Sequence, residues 1–227
     1  MNKPKYILSA SGKFLYFEIG RILQERNQLV KIICGYPWVK LKKENIPSSF
    51  VIASGFFNML QYPFLSSMQF KSYLDFMSIL NKKNIDRLTC NFLDKNDDAD
   101  VLLGLSGVSL NSAKKMTGKN KIFVCDRTSS HIVYQNNLLA EEYKINNRKY
   151  FKTHNWFLDN EVKEYEMADI ILVPSNFVKN SFGKELIKKV KVINFGVNNQ
   201  NFFKDFNIKK SEKYFDILFI GQISLRK

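Results

Sequence analysis

The side chains best suited to chemistry lie together at residues 126–131. They bring a carboxylate, a guanidinium, hydroxyls and an imidazole into six positions: Asp126, Arg127, Thr128, Ser129, Ser130 and His131. Such groups suit hydroxyl-rich or phosphorylated ligands, and an imidazole can move a proton near neutral pH. We therefore take the histidine as the candidate catalytic residue, and the aspartate, the arginine and these two serines as candidate substrate-binding residues.

The placement of this group favours a ligand site over a simpler structural role. Residues 122–125 read as a buried strand that ends directly before Asp126, and open α/β sheets bind ligands where their strands end. The simpler alternative is that Asp126 and Ser130 cap the next helix while His131 is an ordinary surface group. Because these residues directly follow a strand, we favour the ligand site over the capping role.

A second candidate is the small-residue turn at residues 9–13. Small residues lead to Gly12 and Lys13 between the first predicted strand and the first predicted helix. Backbone amides and a helix dipole there could hold an anion, and Gly12 fits a plain tight turn nearly as well. The glycine spacing matches neither a P-loop nor a dinucleotide fingerprint.

Other familiar constellations are not supported. Asp98 and Asp100 precede the predicted strand at 101–105, whereas metal-binding carboxylates converge where a strand ends, so we predict no metal. Two histidines and three scattered cysteines provide no zinc-ligand spacing. Gly104 and Gly107 lack the Gly-x-Ser-x-Gly pattern of hydrolases, and we expect them to let a loop pass close to ligand or backbone.

Alternating strands and helices must position these residues. Six apolar runs predict buried strands: 6–9, 30–34, 101–105, 122–125, 170–173 and 190–194. Apolar residues at helical intervals predict a crossover helix after Lys13, a charged helix is predicted at 161–167, and Ser175 is expected to cap the helix after it. This order predicts an α/β fold with a Rossmann-like, doubly wound parallel sheet.

The aromatic and methionine-rich stretch at 56–80 does not fit this alternation of strands and helices. Phe70, Leu74 and Met77 recur at helical spacing, which favours packing in the core. The alternative is a docking face for a membrane-borne acceptor, because lysines flank the stretch.

Composition indicates a globular and strongly basic protein. The 227 residues are 45% hydrophobic, and 35 Lys and Arg against 21 Asp and Glu give a net charge of +14. That charge attracts polyanions such as nucleic acid, anionic lipid or a phosphorylated substrate. A sequence-wide excess of lysine is weaker evidence than a clustered stripe, so we do not expect nucleic acid as the partner.

Cysteine usage and hydropathy bear on the compartment. Cys34, Cys90 and Cys125 are odd in number, far apart and flanked by apolar residues, which suits reduced, buried thiols. The apolar run at 6–8 is too short for a signal peptide, and no run approaches the ~18 apolar residues of a membrane span. We expect a cytoplasmic protein and leave open peripheral contact at the inner face of the membrane.

The sequence closes on a strand-like run that starts another domain. Residues 215–220 predict a buried parallel strand, and Gly221 follows where α/β folds bind phosphate. We therefore expect one complete domain followed by the first strand of a second.

Three stretches resemble retaining, nucleotide-sugar-dependent glycosyltransferases of the GT-B fold, in the large family four group (glycosyltransferase group 1). Residues 164–178 are similar to that family's helix, Ala-Asp, strand and Pro-Ser run. Residues 191–198 are similar to its interdomain segment ending in Gly-Val-Asp, and 219–227 to the start of its donor domain.

The resemblance implies the N-terminal half of a GT-B fold. It divides the chain into three parts: a Rossmann-like acceptor-binding domain at 1–197, an interdomain linker at 198–213, and the first strand and loop of a truncated donor-binding domain at 214–227. No metal or other cofactor is implied, because the nucleoside-diphosphate sugar is a substrate.

The resemblance also implies roles for single residues. Gly12 lies in the loop that approaches the donor phosphates, and His131 matches a histidine near the transferred sugar. Gly221, Arg226 and Lys227 match a donor-domain loop in which a basic side chain offsets the charge of the leaving diphosphate.

The implied parent is an enzyme that transfers a hexose-like sugar to a glycan or lipid-linked acceptor. Gln222 stands where many relatives carry a phosphate-binding arginine, and Asn198 replaces the usual aspartate. The family's paired glutamates fall beyond Lys227, so this chain alone is expected to be inactive. Two rivals stay open: a noncatalytic module whose basic surface binds nucleic acid or anionic membrane, and a half-enzyme completed by a separate donor-domain chain.

Overall fold

A parallel sheet forms the centre of the molecule. The computed structural model describes residues 3–61, 70–196, 213–215 and 217–221. Within these ranges the sheet has seven strands, β1 to β7: Tyr6–Ala10, Leu29–Cys34, Val51–Ala53, Val101–Leu105, Ile122–Asp126, Ile170–Val173 and Val190–Val192. Their spatial order is β3-β2-β1-β4-β5-β6-β7, and every pair is parallel. The chain reverses direction across the sheet between β1 and β4, which confirms the predicted doubly wound α/β fold.

Helices connect the strands, as parallel pairing requires. The described residues contain eight α-helices, α1 to α8: Tyr16–Glu25, Trp38–Leu41, Phe56–Gln61, Lys71–Lys95, Leu110–Met116, Ile132–Ile145, Asn155–Met167 and Asn176–Asn180. Short 3₁₀ helices lie at Lys42–Glu44, Ser48–Phe50 and Ile187–Lys189. Ser175 caps α8 as predicted, because its hydroxyl accepts a hydrogen bond from the Val178 amide at 3.3 Å.

The core lies on the central strands. Every residue of β4 is buried, and Ile7 and Leu8 of β1 have no exposed surface. Tyr16 and Phe17 at the start of α1 are buried against this core. Each fully buried large apolar side chain contributes about 2–3 kcal/mol, so the middle of the sheet is the most stable part of the fold.

The six strands predicted between residues 6 and 194 are all present, and one further strand, β3, was not predicted. β3 has only three residues, all half-buried, and it pairs with β2 alone at the edge of the sheet. The apolar residues at 50–53 were a usable signal for β3 that the prediction missed.

The core interpretation of residues 56–80 is wrong for the residues described. Phe70 and Phe76 are exposed, Leu74 and Met77 are only half-buried, and none of them belongs to the core. Instead, α3 packs against the first part of α4 at the surface, where Tyr73 Oη donates to the Leu60 carbonyl at 3.3 Å.

The predicted strand at 215–220 is not observed. Phe215 and residues 217–220 belong to no strand, and Phe215 is 90% exposed. A strand needs a hydrogen-bonded neighbour, and the seven-stranded sheet does not extend to this segment. Residues 197–212 lie outside the described residues, and the three-part division of the chain stays a prediction.

The structure also bears on the predicted burial of the cysteines and on the predicted lack of membrane-spanning runs. Cys34 and Cys125 are buried free thiols and Cys90 is half-buried; burial raises the pKa of Cys34 and of Cys90 to about 11. Across the described ranges, each helix is too short or too polar to cross a lipid bilayer.

Candidate active site at the carboxyl edge of the sheet

The loops that carry the predicted site residues meet at one edge of the sheet. β1 pairs with β4 so that Ser9 lies opposite Gly104, and β4 pairs with β5 so that Leu105 lies opposite Asp126. The loops after these three strands therefore leave the sheet side by side at its carboxyl edge, next to the point where the strand order reverses. Ligands bind at such points in open α/β sheets.

Asp126 ends β5 and is tied to the first helix. Tyr16 Oη donates to Asp126 Oδ2 at 3.2 Å. Burial raises the pKa of Asp126, while the hydrogen bond from Tyr16 acts in the opposite direction. The carboxylate is only partly covered, so it can still accept a hydrogen bond from a ligand hydroxyl.

The Arg127 side chain is buried and its donors are directed at other parts of the protein. Its Nε donates to the Ser130 carbonyl at 3.0 Å, and Nη2 donates to Gln135 Oε1 at 3.1 Å. Its Nη1 donates to Ser106 Oγ at 3.2 Å and to Glu161 Oε2 at 2.6 Å. The side chain is 9% exposed, and four of its five N–H donors have protein partners. This geometry gives the arginine internal partners in place of the predicted ligand.

Ser129 and Ser130 shape the same loop. Ser129 Oγ donates to Gln135 Oε1 at 2.8 Å, and Ser130 is buried. The capping alternative is wrong for Asp126 and Ser130, because the N-cap residue of α6 is His131 and no side chain caps that end of the helix.

His131 lies half-buried at the start of α6. Its backbone N–H donates to Ser181 Oγ at 2.8 Å, and its ring centroid lies 5.0 Å from that of Tyr165 and 5.1 Å from that of Phe182. Burial lowers the pKa of His131, the Arg127 charge lowers it further, and Glu161 opposes both. On balance these effects favour the neutral imidazole, which can both accept and donate a hydrogen bond.

The turn after β1 is less open than the sequence suggested. Lys13 Nζ pairs with Glu44 Oε1 at 2.6 Å. Phe14 has a φ of +44° and its ring lies over Gly12, where a Cβ atom would come within 3.0 Å of the ring. Gly12 thus packs closely under an aromatic ring, and the lysine already has an acidic partner.

Three residues that support the site were not predicted: Lys82 on α4, and Glu161 and Glu164 on α7. Lys82 Nζ donates to the Ser106 carbonyl at 3.2 Å and lies 3.8 Å from Glu161 Oε1. For the two glutamates the sequence contained one usable signal: residues three positions apart lie on the same face of a helix. Lys82 gave no signal, because it is one lysine among many.

Glu164 holds the loop after β4. Its carboxylate accepts hydrogen bonds from the backbone N–H of Gly107, and from that of Ser109 at 2.7 Å. Burial raises the pKa of Glu164 to about 8, against the effect of these two donors. Gly107 has a φ of +87°, and a Cβ there would overlap Lys82 Nζ. The loop therefore passes close to the Lys82 and Glu161 side chains, whereas a close approach to ligand or backbone was expected from the sequence.

On the other side of β1, two asparagines tie the loops together. Asn58 Nδ2 of α3 donates to the Ser11 carbonyl at 2.9 Å and also to the Gly35 carbonyl. Asn81 Nδ2 of α4 donates to the Ser11 carbonyl at 3.0 Å and to Asn58 Oδ1 at 3.1 Å. Helix α3 is therefore fixed directly beside the carboxyl edge.

The remaining candidates lie elsewhere. Asp98 and Asp100 are at the amino edge, where Asp100 Oδ2 accepts from the Lys5 amide at 2.8 Å. A shallow hollow of about 380 Å³ lies at the same edge, away from the carboxyl ends where such sheets bind ligands. Within the described part of the chain, no three His, Cys, Asp or Glu residues converge as metal ligands. Gly221 is exposed, and Arg226 and Lys227 lie outside the described residues.

Comparison with known proteins identifies the fold. No family model matches the sequence, and no curated protein matches it. The structure is similar to Arabidopsis thaliana UGT89C1 complexed with UDP-L-rhamnose, with a TM-score of 0.51 and 12% identity over 85% of this chain and 52% of that one. It is also similar to CalG4, the calicheamicin glycosyltransferase, with a TM-score of 0.51 and 13% identity over 86% of this chain and 53% of that one.

This likeness is one of fold. The chain spans about half the length of the solved structures that it matches. Its doubly wound parallel sheet is a Rossmann-like α/β domain of the kind that makes up half of a GT-B glycosyltransferase.

Proposed function

We propose that this chain is the acceptor-binding half of a glycosyltransferase that uses a nucleoside-diphosphate sugar. The observation that carries the proposal is that Asp126 at the end of β5 and His131 at the start of α6 bound one loop at the carboxyl edge, close to the point where the strand order reverses. A partly covered carboxylate and a neutral imidazole can hold the hydroxyls of a sugar and fix its orientation for reaction.

The finer assignment rests on the sequence resemblance. We assign the parent to the retaining, family four group, with Gly221, Arg226 and Lys227 near the donor diphosphate. As the bond to the sugar breaks, the diphosphate gains negative charge, and a basic side chain in that loop would stabilise it. The role requires a donor domain, supplied by the parent chain or by a separate one.

The direct test is an assay of the whole protein that the gene encodes. Release of nucleoside diphosphate is measured from a panel of nucleotide sugars, with and without saccharide and lipid-linked acceptors. We expect one sugar donor to be consumed faster when its acceptor is present. Failure of the whole protein to consume any of them, even with separate donor-domain chains added, would contradict the proposal.

We further propose that an anionic membrane carries the acceptor, because exposed apolar side chains lie beside the site. Phe56 and Met59 of α3 are 65% and 61% exposed, while Asn58 of the same helix binds the loop after β1. The start of α3 touches the start of α2, since a Cβ on Gly55 would overlap Pro37.

Basic residues accompany this apolar surface. Val39 on α2 is exposed, and the exposed Lys42 and Lys43 follow directly in the next 3₁₀ helix. Exposed aromatic and aliphatic side chains next to lysines are typical of proteins that lie on anionic lipid.

Vesicle flotation tests the membrane proposal. We expect this chain to bind phosphatidylglycerol vesicles better than phosphatidylcholine vesicles, and Phe56→Ser with Met59→Ser to reduce the bound fraction. Ile145→Ser is the matched control, because Ile145 is similarly exposed but lies on α6. Equal loss in both variants would remove the surface from consideration, and binding of single-stranded nucleic acid in place of vesicles would favour the noncatalytic rival.

A further inference from the structure

The loop at 126–131 depends on one side chain, that of Arg127. We propose that Arg127 is a positioning residue, which fixes His131 against α7 and binds no substrate itself. The inference rests on the proposed function only in taking His131 as the residue that faces the sugar.

The guanidinium joins four parts of the carboxyl edge. Its partners are the Ser130 carbonyl in its own loop, Ser106 after β4, Gln135 on α6 and Glu161 on α7. The Arg127 backbone N–H is also fixed, because it donates to the Leu172 carbonyl of β6 at 2.8 Å. A planar fork with donors in fixed directions can hold this arrangement, whereas a point charge cannot.

These contacts set the position of His131. Ser130 directly precedes His131. The hydrogen bond from Arg127 Nε to the Ser130 carbonyl therefore fixes the peptide group that joins these two residues. Tyr165 packs against the imidazole and donates through Oη to Glu161 Oε2 at 2.8 Å. Arg127 binds the same carboxylate oxygen, so the loop and the ring that supports the imidazole share one anchor.

The charges around the imidazole make the coupling measurable. His131 faces Arg127 in its own loop and Glu161 and Tyr165 on α7, with Ser181 and Phe182 after α8. Burial lowers the pKa of His131 and the guanidinium lowers it further, while the Glu161 carboxylate raises it. Removing either charged group should therefore shift the titration of His131, in opposite directions.

An NMR titration of this chain tests the proposal without any sugar. The sequence contains two histidines, so His154, at the start of α7, serves as the internal control. We expect Arg127→Met to raise the pKa of His131 and Glu161→Gln to lower it, while the chemical shifts of His154 stay those of the wild type in both variants. Glu161→Gln keeps an acceptor for Arg127 and Tyr165, so it remains a test if Arg127→Met does not fold.

A conservative variant separates charge from geometry. Arg127→Lys keeps the positive charge but cannot reach the Ser130 carbonyl and Gln135 together. We expect it to hold the pKa of His131 low while the nuclear Overhauser effects between the His131 and Tyr165 rings weaken. Unchanged pKa and ring contacts of His131 in the folded variants would overturn the proposal, whether or not the whole protein transfers sugar. Conversely, a failed transfer assay would leave these NMR results standing.

Discussion

The two sides of the carboxyl edge are held by different chemistry. On the charged side, the loops after β4 and β5 are held by the ion-paired Lys82, Arg127 and Glu161 and by the backbone hydrogen bonds of Glu164, all buried or nearly so. On the amide side, the loops after β1 and β2 are held by the neutral side chains of Asn58 and Asn81.

This difference predicts how each side responds to change. A buried ion pair is costly to break, because the partner left behind stays charged in a dry environment. A neutral amide contact costs about 1 kcal/mol to lose. The charged side therefore presents a fixed His131, whereas the amide side, next to the apolar surface, can adjust its conformation more easily.

Removal of Asp86 should be the most damaging single change. This buried α4 residue accepts hydrogen bonds from the Asn111 amide and from Ser112 N and Oγ at 2.8–2.9 Å, at the start of α5 on the charged side. We expect Asp86→Ala to lower the free energy of unfolding by about 3–4 kcal/mol, measured in urea, because several buried donors lose their acceptor.

The matched control for Asp86 is Asp94 on the same helix. It also reaches α5, through an exposed pair with Lys115 at 2.5 Å. Asp94→Ala should leave the unfolding curve unchanged, since exposed pairs contribute little. An equal loss of unfolding free energy in both variants would mean that the burial of Asp86 does not make it more important for stability than Asp94.

Glu164 should make the charged side sensitive to pH. Its pKa is raised from its usual value near 4.5 to about 8, so the folded state binds a proton that the unfolded state releases at lower pH. The stability that this proton contributes is complete below about pH 4.5 and is lost as the pH rises through 8.

The comparison of wild type with Glu164→Gln measures this effect. The glutamine does not titrate, so the stability of the wild type relative to the variant should fall by roughly 3 kcal/mol between pH 5 and pH 8. A constant difference would show that Glu164 is ionised throughout and that the Gly107 and Ser109 amides compensate for its burial.

Gly107→Ala should cost about 2 kcal/mol. The residue has a φ of +87° and its Cβ would displace Lys82 Nζ. Gly118→Ala is the control, because Gly118 has a φ of +75° with no atom near the added Cβ; it should show the backbone cost alone, about 1 kcal/mol. If thermal unfolding gives the same loss for both, the loop after β4 is not packed against Lys82.

The smallest effect is expected on the amide side. Asn81→Ala should lower the free energy of unfolding by about 1 kcal/mol, because it removes neutral hydrogen bonds to the Ser11 carbonyl and to Asn58. Hydrogen exchange should rise in the loop after β1 and stay unchanged near His131. Faster exchange on both sides would show that the two sides are one unit.

The sequence predicted the fold better than it predicted contacts. Six strands were predicted because each overlaps a mostly apolar run of four or five residues in the sequence, whereas the apolar run at 50–53 was missed; only three of its residues form β3, and all three are half-buried. The prediction that Phe70 and Met77 pack in the core was wrong. A helical apolar stripe normally faces the core, but this stripe lies outside it.

For the candidate site, strand ends predicted positions but not partners. The predicted end of β5 correctly indicated that Asp126 and His131 lie at the carboxyl edge of the sheet. Arg127 was expected to bind ligand, because nothing local in the sequence reveals that Glu161, 34 positions away, takes its guanidinium. Partners so distant in sequence come from the packing of α7 against the sheet, which residue spacing does not encode.

The most direct test of the central claim uses the two histidines of the whole protein. Each is the N-cap residue of a helix, so His131→Asn and His154→Asn are matched, and asparagine is a good cap at both positions. If His131 faces the transferred sugar, kcat for sugar transfer should fall by about 100-fold or more in His131→Asn and stay close to wild type in His154→Asn. Equal activity in the two variants would contradict the placement of the reacting sugar at this edge.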